Sequence, residues 1–490
     1  MIVKDVQTAS LAGKDVPSKR NAFTGERIAF WDEFARQIGR WQPARRYYRD
    51  QLARLFAFSV PPGMRVLEVG CGTGDLLAAL RPAYGVGIDF SPEMVRLARE
   101  RHPDLVFHQA DAHDFDLGEQ FDFVVCSDLI NDLWDVQTVF ERVAAHCHPD
   151  TRILLNFYSQ LWAGPRKLAE TAGLVKRLLL QNWLTVEDVS DLLYLAGHET
   201  IRHSREIMCP VRLPLLGPLA NRWLVRLWPF SYLAITNVLI ARPQPAPQPE
   251  RQASVSVIVA ARNEEGNIPQ IFDRLPQMGS GTELILVEGH SADRTWEAAE
   301  HELALRPGYP ARLFRQPGKG KGDAVRLGFA EARGDLLMIL DADLTVMPED
   351  LPRFYEAWRS GRGDFINGVR LVYPMEERAM RFFNLLGNKF FSLAFSWLLG
   401  QSIKDTLCGT KVLSRRHYET IAANRSWFGE FDPFGDFDLI FGAARYNLKI
   451  VDMPVRYAER TYGDTNIQRW RHGVVLLRMV LVAMRRIRFI

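Results

Sequence analysis

The chain has 490 residues, of which 47% are hydrophobic and 24% charged, a composition that excludes wholesale disorder. This length is too great for one hydrophobic core and predicts roughly two to four structural units. The net charge is only +3, and the basic excess lies near the C-terminus, where eight arginines face two acids between Arg456 and Ile490. We therefore expect an anionic partner for that end of the chain, and no nucleic-acid partner.

Residues 1–44 are assigned to an N-terminal extension, which lacks the continuous apolar core of a signal peptide. The five cysteines are odd in number, widely spaced and without CxxC pairs, a pattern typical of proteins kept in a reducing compartment. No stretch offers about 18 uninterrupted apolar residues, so a membrane-spanning helix is not expected. These features predict a cytoplasmic protein.

The first motif is “EVGCGTG”, which follows a buried strand and precedes a helix. It places Glu68, Gly70, Gly72 and Gly74 at every second position, unlike the GxGxxG of dinucleotide-binding loops. Glycines allow a sharp turn and let a ligand approach the backbone closely. The next two strands end near Asp89 and Asp111, so all of these groups should meet at the carboxyl edge of a parallel sheet.

This pattern resembles class I S-adenosylmethionine-dependent methyltransferases, over residues 45–242. The resemblance implies a Rossmann-like fold and S-adenosylmethionine as cofactor. It also implies that Glu68 and the three glycines surround the amino-acid and ribose part, that Asp89 holds the ribose hydroxyls, and that Asp111 and Ala112 border the adenine. Alternatively, the glycine loop only makes a tight turn.

The methyl acceptor is not specified by any diagnostic spacing. A base is needed only if the acceptor is a hydroxyl or a protonated amine. The candidates are His113, Asp128, Asp132 and Tyr158, although His113 also suits a structural histidine at the rim. The apolar segment 207–233 either lines a lipid-like acceptor pocket or caps the core.

A proline-rich stretch, residues 243–254, predicts an extended and solvated linker. After it, short apolar runs again alternate with helical patterns, which predicts a second parallel sheet flanked by helices. The expected fold class is therefore α/β, with two doubly wound domains in tandem.

In the second half, “LLMILDADLT” ends a buried strand on Asp341 and Asp343. Two adjacent carboxylates at a strand end suit Mg²⁺ or Mn²⁺ together with the diphosphate of a nucleotide-sugar donor. Alternatively, such a pair is a solvated turn or a helix cap.

Residues 255–465 resemble family-2 glycosyltransferases of the GT-A fold. They look most like the branch that loads sugars onto polyprenyl phosphate, which includes dolichyl-phosphate mannosyltransferases. The resemblance implies that Asp341 and Asp343 hold the metal and that Asp405 is a candidate base. The other implied residues are Ala260, Arg262, Glu264, Glu288 and Asp293 on the nucleotide, and Asp436 and Asp438 on the acceptor side. Glu288-Gly289-His290 departs from the usual VDDGS, and Arg262 stands where many relatives carry Tyr.

One metal site and no nucleophile motif fit direct, inverting displacement at the anomeric carbon. A hydroxyl acceptor needs a base such as Asp405, whereas a lipid monophosphate, with a second pKa of about 6, is already largely ionised near neutrality. Basic side chains then matter more, with these candidates: Lys319 and Lys321 toward the donor, and Arg456, Arg460 and Arg469 toward an acceptor phosphate. Alternatively, the acceptor is a polysaccharide hydroxyl, or one domain is only a non-catalytic docking module.

Two apolar segments, 381–400 and 466–490, predict helices on a membrane surface. The first carries one polar stripe of Asn384, Asn388, Ser392 and Ser396, and the second carries Arg471, Arg478 and Arg485 seven residues apart. Such stripes suit helices in the headgroup layer of an anionic membrane, peripheral on its cytoplasmic face. Alternatively, the helices bury their apolar faces against the catalytic domain or against a second copy in a homo-oligomer.

Overall fold

The structure is a computed structural model that describes residues 16–173, 179–245, 252–370, 382–425, 435, 437–458, 460, 462 and 469–489. It divides the chain into two compact units, residues 1–243 and 244–490. Each unit is built on a seven-stranded sheet.

The sheet of the N-terminal unit has the strand order β3-β2-β1-β4-β5-β7-β6. Neighbours are parallel from β3 to β5, and β7 runs antiparallel to both β5 and β6. The strands are β1 (Arg65–Val69), β2 (Tyr84–Asp89), β3 (Val106–Gln109), β4 (Phe121–Ser127), β5 (Cys147–Tyr158), β6 (His198–Glu206) and β7 (Thr236–Pro243). The helices are α1 (Val16–Arg36), α2 (Ile38–Ser59), α3 (Asp75–Ala79), α4 (Pro92–Arg101), α5 (Val136–Ala145), α6 (Ala163–Thr171), α7 (Val186–Leu195) and α8 (Leu216–Arg222).

The sheet of the C-terminal unit has the order β10-β9-β8-β11-β13-β12-β14, in which β13 alone runs antiparallel to its neighbours. The strands are β8 (Val255–Ala261), β9 (Thr282–Glu288), β10 (Ala311–Arg315), β11 (Leu336–Ile339), β12 (Phe365–Val369), β13 (Lys411–Ser414) and β14 (Ile450–Pro454). The helices are α9 (Ile268–Arg274), α10 (Thr295–Leu305), α11 (Lys321–Glu331), α12 (Leu351–Arg359), α13 (Phe382–Leu399), α14 (Arg415–Ala423), α15 (Phe437–Arg445) and α16 (Arg469–Ala483).

The central strands are buried on both faces, because helices cover both sides of each sheet. All four residues of β11 are buried, and so are four of the five residues of β1. Continuous apolar runs of this kind are typical of parallel strands packed between helix layers. Two tandem α/β domains, predicted from the alternation of apolar runs and helical patterns, are confirmed.

Helix α2 crosses the predicted boundary at residue 44, and α1 lies entirely before it. α1 lies against α4, and α2 lies against α3. Arg27 of α1 donates from Nε to a carboxylate oxygen of Asp132 at 2.9 Å, and Trp31 donates from Nε1 to its other oxygen at 2.8 Å. Both helices are therefore part of the N-terminal unit.

Helix α13 turns its polar stripe toward the protein, which corrects the expectation that this stripe meets lipid headgroups. The hydroxyls of Ser392 and Ser396 donate to the carbonyl of Ile403, and Asn388 is buried. Phe390, at 56% exposed, and Leu393, at 72%, point outward instead. The side chains of Asn384 and Arg471 lie outside the described part of the chain.

Helix α16 packs against α13 and contributes to the core of the unit. Leu476, Met479 and Ala483 are buried, whereas Val474 and Leu477 remain exposed. One apolar face is therefore covered by the protein and another is open. Within the described residues, every helix is too short or too polar to span a membrane.

Candidate active sites

The N-terminal unit contains a cavity of about 490 Å³ at the carboxyl ends of β1 and β4. Glu68, Gly70 and Gly72 line it from the glycine loop, and Ser127 and Asp128 line it from the end of β4. Helices α1 and α2 close it with Trp31, Phe34, Arg46, Arg49 and Asp50. This volume lies within the range of small-molecule binding pockets.

The glycine loop needs glycine for two separate reasons. Gly70 and Gly74 have φ angles of +75° and +72°, which L side chains rarely adopt. A Cβ on Gly70 would also stand 2.8 Å from Cδ1 of Leu129, and one on Gly74 would stand 2.6 Å from the ring of Phe107. The loop is therefore held close to its neighbours, with its backbone open to the cavity.

Two buried carboxylates hold the glycine loop and the helix after it by accepting hydrogen bonds from backbone amides. Glu68 accepts a hydrogen bond of 3.1 Å from the amide of Leu77, and burial raises its pKa well above the usual range. Asp89 accepts hydrogen bonds of 2.9 Å from the amides of Gly72 and Ser91. Burial raises the pKa of Asp89 to about 6, and these two amides oppose the rise. Asp89 thus joins the end of β2 to the glycine loop.

Four of the predicted cofactor residues are not among those that line the cavity: Gly74, Asp89, and Asp111 and Ala112, which follow β3. Asp111 accepts hydrogen bonds from the amide and from Nδ1 of His113, at 2.9 and 2.7 Å. Burial alone would raise the pKa of Asp111, but the His113 contacts outweigh it and lower the pKa. Arg20 of α1 lies 3.7 Å from the same carboxylate.

The four candidate bases for methyl transfer have different surroundings. Tyr158 is half-buried at the end of β5, and its amide donates to Oδ1 of Asn131 at 3.1 Å. His113 is buried, and its Nε2 accepts from the amide of Asp135, so it holds the loop together. Asp132 is held by α1, as described above. Asp128 lines the cavity with φ +52° and accepts hydrogen bonds from the Tyr48 hydroxyl at 2.9 Å and from Nδ2 of Asn156. Burial raises the pKa of Tyr48 well above its usual value, which keeps this phenol a donor.

In the C-terminal unit, each of the two adjacent carboxylates after β11 has its own cation. Lys321, the first residue of α11, donates from Nζ to Oδ1 of Asp341 at 2.6 Å. Burial alone would raise the pKa of Asp341, but the charge of Lys321 outweighs it, and the pKa is lowered. Arg460 donates from Nη2 to Oδ2 of Asp343 at 2.8 Å. Thr345 holds the other oxygen of Asp343 through its amide, at 3.1 Å, and its hydroxyl, at 2.8 Å.

Gly409 makes room for this arrangement and was not predicted from the sequence. A Cβ at position 409 would collide with the carboxylate of Asp341 and with Nζ of Lys321. Arg460 also lies 3.4 Å from Oε1 of Glu264. Burial raises the pKa of Glu264 to about 7, although the charge of Arg460 opposes the rise.

The loops after β8 and β9 are joined by hydrogen bonds. Asn263 donates its amide to Oγ of Ser291 at 3.0 Å, and the amide of Glu265 donates to Asp293 at 3.2 Å. The remaining predicted nucleotide residues lie on or beside these loops, with Ala260 half-buried, Arg262 exposed and Glu288 buried. Lys319 is exposed, two residues before the start of α11.

The predicted acceptor-side residues are less uniform. Asp405 is fully buried and accepts from Nε and Nη2 of Arg370 at 2.8 and 3.0 Å. Burial alone would raise the pKa of Asp405, but Arg370 outweighs it, and the pKa is lowered. Asp438 is buried on α15, 3.2 Å from Nε of Arg425. Arg456 is exposed.

For two of the predicted residues, the position of the side chain is not described. Asp436 lies outside the described residues, and so does the side chain of Arg469, the first residue of α16.

The sequence matches two family models. Residues 66–150 match the model described as methyltransferase domain, and residues 256–422 match glycosyl transferase family 2. The dolichol-phosphate mannosyltransferase of Pyrococcus furiosus is 31% identical over 221 residues, which cover 44% of this chain and 59% of that protein. The undecaprenyl-phosphate 4-deoxy-4-formamido-L-arabinose transferase of Proteus mirabilis is 27% identical over 220 residues, 44% of this chain and 63% of that protein. The chain thus spans less than two thirds of these curated relatives.

A solved S-adenosylmethionine-dependent methyltransferase from Thermotoga maritima aligns at 17% identity and a TM-score of 0.34, covering 44% of this chain and 97% of that one. A score this low carries no argument about the N-terminal unit. The similarity of the two units to known enzyme families rests instead on the two family models, together with the glycine loop and the paired carboxylates. Residues 66–150 are therefore similar to a methyltransferase domain, and residues 256–422 are similar to glycosyl transferase family 2.

Proposed function

We propose that the chain is a bifunctional enzyme. The C-terminal domain performs metal-dependent, inverting transfer of a sugar from a nucleotide-sugar to a polyprenyl phosphate or a lipid-linked acceptor. The N-terminal domain transfers a methyl group from S-adenosylmethionine. The observation that carries the sugar-transfer proposal is the pairing of Asp341 with Lys321 and of Asp343 with Arg460.

The described residues supply only part of the ligands that a divalent metal needs at the paired carboxylates. Among the described residues, no group of three or more His, Cys, Asp and Glu side chains could hold a metal ion. Mg²⁺, however, is commonly bound by one or two carboxylates, with substrate phosphates and water as the other ligands. Asp341 and Asp343 would hold such an ion, and it would supply positive charge to the leaving diphosphate.

Lys321 and Arg460 have a second role in this proposal. Both cations form ion pairs with the carboxylates that would coordinate the metal, and both can bind phosphate oxygens. Donor binding then moves each cation from a carboxylate to the diphosphate. The exchange keeps the charges of the site balanced before and after the donor binds.

The acceptor proposal follows from the surroundings of Asp405. A carboxylate with a lowered pKa, held by two hydrogen bonds from Arg370, is a weak proton acceptor. An ionised phosphate acceptor needs no base, and the two relatives above are named for dolichol phosphate and undecaprenyl phosphate. These points favour a lipid phosphate over a polysaccharide hydroxyl.

The direct test is a transfer assay with a panel of nucleotide-sugars, Mn²⁺, and a short polyprenyl phosphate or the matching polyprenol. We expect product with the phosphate, and at least a hundredfold loss in Asp341→Asn or Asp343→Asn. Glu300→Gln, an exposed acid on α10, is the matched control and should retain full activity. Transfer to the polyprenol alone would contradict the proposed acceptor, and full activity of both Asp variants would contradict the proposed metal site.

For the methyl-transfer half, we assign S-adenosylmethionine to the cavity beside the glycine loop and acceptor positioning to Asp128. Calorimetry with S-adenosylhomocysteine tests the first part. Gly70→Ala should lose most of the affinity, because its Cβ would meet Leu129. Gly118→Ala is the matched control, since Gly118 also has a positive φ, +67°, but a Cβ there meets nothing within 4 Å. Equal affinity of the two variants would contradict the assignment.

We also propose that the protein is peripheral on the cytoplasmic face of an anionic membrane, through α13 and α16. The C-terminal platform consists of the exposed apolar residues Phe390, Leu393, Trp397, Val474, Leu477 and Leu481. Exposed Arg478, Arg485 and Arg486 add attraction to anionic lipid. The triple substitution Val474→Ser, Leu477→Ser and Leu481→Ser should weaken binding to anionic vesicles. Deletion of α16 is unsuitable, because Leu476 and Met479 belong to the core. Vesicle binding equal to that of the wild type would contradict this proposal.

A further inference from the structure

The methyltransferase unit has an exposed apolar surface of its own. Among its described residues, eleven of the eighteen exposed large apolar side chains fall within residues 211–233, here called the cap segment. Leu215 is 87% exposed and Trp228 is 81% exposed. The two expectations for this region were a pocket lining and a cap over the core. A cap over the core does not explain why these side chains point to solvent.

The cap segment is held in place by specific contacts, so the exposure is not a consequence of a loose loop. Asn221 accepts hydrogen bonds from the amides of Met208 and Cys209 at 2.9 and 2.7 Å, and its Nδ2 donates to the carbonyl of Cys209 at 2.8 Å. Arg226 is buried and forms an ion pair with the buried carboxylate of Glu206. The segment therefore presents its apolar side chains from a fixed framework.

The charges of the cap segment are of one sign. Between residues 207 and 245 the sequence contains no Asp, Glu or Lys, and its charged residues are arginines. Arg212 and Arg222 are exposed. An arginine-only surface with Trp, Tyr and Leu side chains matches the headgroup layer of an anionic bilayer, where aromatic rings settle and arginines reach phosphates. A two-fold interface with a second copy would instead place this surface against itself, arginine facing arginine.

The cap segment also begins on the side of the sheet where the cavity lies, at the carboxyl ends of the parallel strands. It joins β6 to β7, and Tyr158 at the end of β5 pairs with Thr236 at the start of β7. The parallel strands β1, β4 and β5 end at that same edge. Asn156 links the two features, since its Nδ2 donates to Asp128 in the cavity wall and lies 3.3 Å from Oγ1 of Thr236. Nδ2 of Asn221 in the cap segment lies 3.4 Å from the hydroxyl of Tyr47 on α2. Tyr47 itself does not line the cavity, but its neighbours Arg46 and Arg49 on the same helix do.

We propose that the cap segment docks the methyltransferase unit on an anionic lipid bilayer, with the carboxyl edge of its sheet toward the headgroups. The docking rests on the cap segment alone, and only its purpose, presenting the cavity to an acceptor carried by a lipid, rests on the proposed methyl transfer. This surface is separate in sequence from the C-terminal platform and has the same composition, apolar with arginine, so the same partner chemistry suits both.

The test uses the full chain with the C-terminal platform already carrying Val474→Ser, Leu477→Ser and Leu481→Ser. Binding to vesicles of phosphatidylcholine and phosphatidylglycerol is measured by co-sedimentation. Adding Leu215→Ser and Trp228→Ser should weaken the remaining binding about tenfold or more. Leu180→Ser is the matched control, because Leu180 is 86% exposed but lies outside the cap segment, and it should change binding less than twofold.

Charge is tested separately by Arg212→Gln with Arg222→Gln, which should lower affinity for the anionic vesicles and leave binding to phosphatidylcholine alone unchanged. Vesicle binding unaffected by the Leu215 and Trp228 substitutions would overturn the proposal. So would a wild-type dimer that these substitutions dissociate while vesicle binding persists, since the surface would then belong to a second copy. Calorimetry with S-adenosylhomocysteine distinguishes the two proposals: a wild type that binds vesicles through the cap segment but not this ligand contradicts methyl transfer and leaves docking standing.

Discussion

Lys321 Nζ donates a hydrogen bond of 2.6 Å to Asp341 Oδ1, which pairs the first residue of α11 with the first carboxylate after β11. Arg460 and Asp343 form the same kind of pair at 2.8 Å. The sequence raised the question of which positive charge neutralises two adjacent acids at a strand end. Two side chains of the protein do so, and the proposed donor and metal would replace them.

Replacing Lys321 by Met should separate donor binding from the rest of the reaction. A charged hydrogen bond contributes about 1.5–3 kcal/mol, so kcat/KM for the nucleotide-sugar should fall about 10- to 100-fold. Lys167→Met, at an exposed position on α6 of the N-terminal unit, is the matched control and should change this constant little. Steady-state kinetics of both variants check the prediction, and equal losses would show that Lys321 has no special place at the donor.

Gly409→Ala should remove sugar transfer, because its Cβ would displace Asp341 and Lys321. Gly387→Ala in α13 is the control, since a Cβ there meets nothing within 4 Å, and alanine inside a helix stabilises by about 0.5–1 kcal/mol relative to glycine. Thermal unfolding and the transfer assay are measured for both. An active Gly409→Ala enzyme would mean that Asp341 and Lys321 are not needed in their present places.

Asp405→Asn should destabilise the C-terminal unit by about 3–5 kcal/mol, because it leaves the buried charge of Arg370 without its partner. Arg370→Met combined with Asp405→Asn should cost less than the sum of the two single changes. Denaturant unfolding of the single and double variants measures this. A variant with wild-type stability and no activity would instead support Asp405 as the catalytic base.

Binding of S-adenosylhomocysteine should weaken as the pH falls below about 6, because burial raises the pKa of Asp89 to about 6. Above that pH the carboxylate is ionised and can accept hydrogen bonds from the ribose hydroxyls. Below it a bound proton must be lost before the ligand binds, so the dissociation constant should rise by up to about tenfold per pH unit. Asp89→Asn should bind weakly and without this dependence between about pH 5 and 7. Calorimetry across this range decides, and a flat wild-type profile would contradict the role of Asp89.

The sequence predicted those features whose signals are local. Apolar runs identified β1 and β11, and the spacing of Gly70, Gly72 and Gly74 located the loop that the structure places beside the cavity. The same locality explains why the sequence singles out Asp341 and Asp343 as candidates, since both follow a buried strand directly.

Features made by distant residues escaped prediction. Arg460 reaches Asp343 across 117 positions, and no pattern in the sequence joins them. Helix α1 carries no clear apolar face, and its contacts with Asp132 and Asp111 are polar, so it was assigned to an extension outside the domain. The stripe on α13 was found, but periodicity alone does not say that the loop at Ile403 would take up the hydroxyls of Ser392 and Ser396.

The exchange of cations is tested most directly by the affinity of the wild-type protein for Mn²⁺, measured by electron paramagnetic resonance with and without UDP or GDP. Because Lys321 and Arg460 occupy the carboxylates until a diphosphate draws them away, binding should be weak alone and at least about tenfold tighter with one of the two nucleotides. An affinity that neither nucleotide changes, or Mn²⁺ that fails to bind under any of these conditions, would contradict the account.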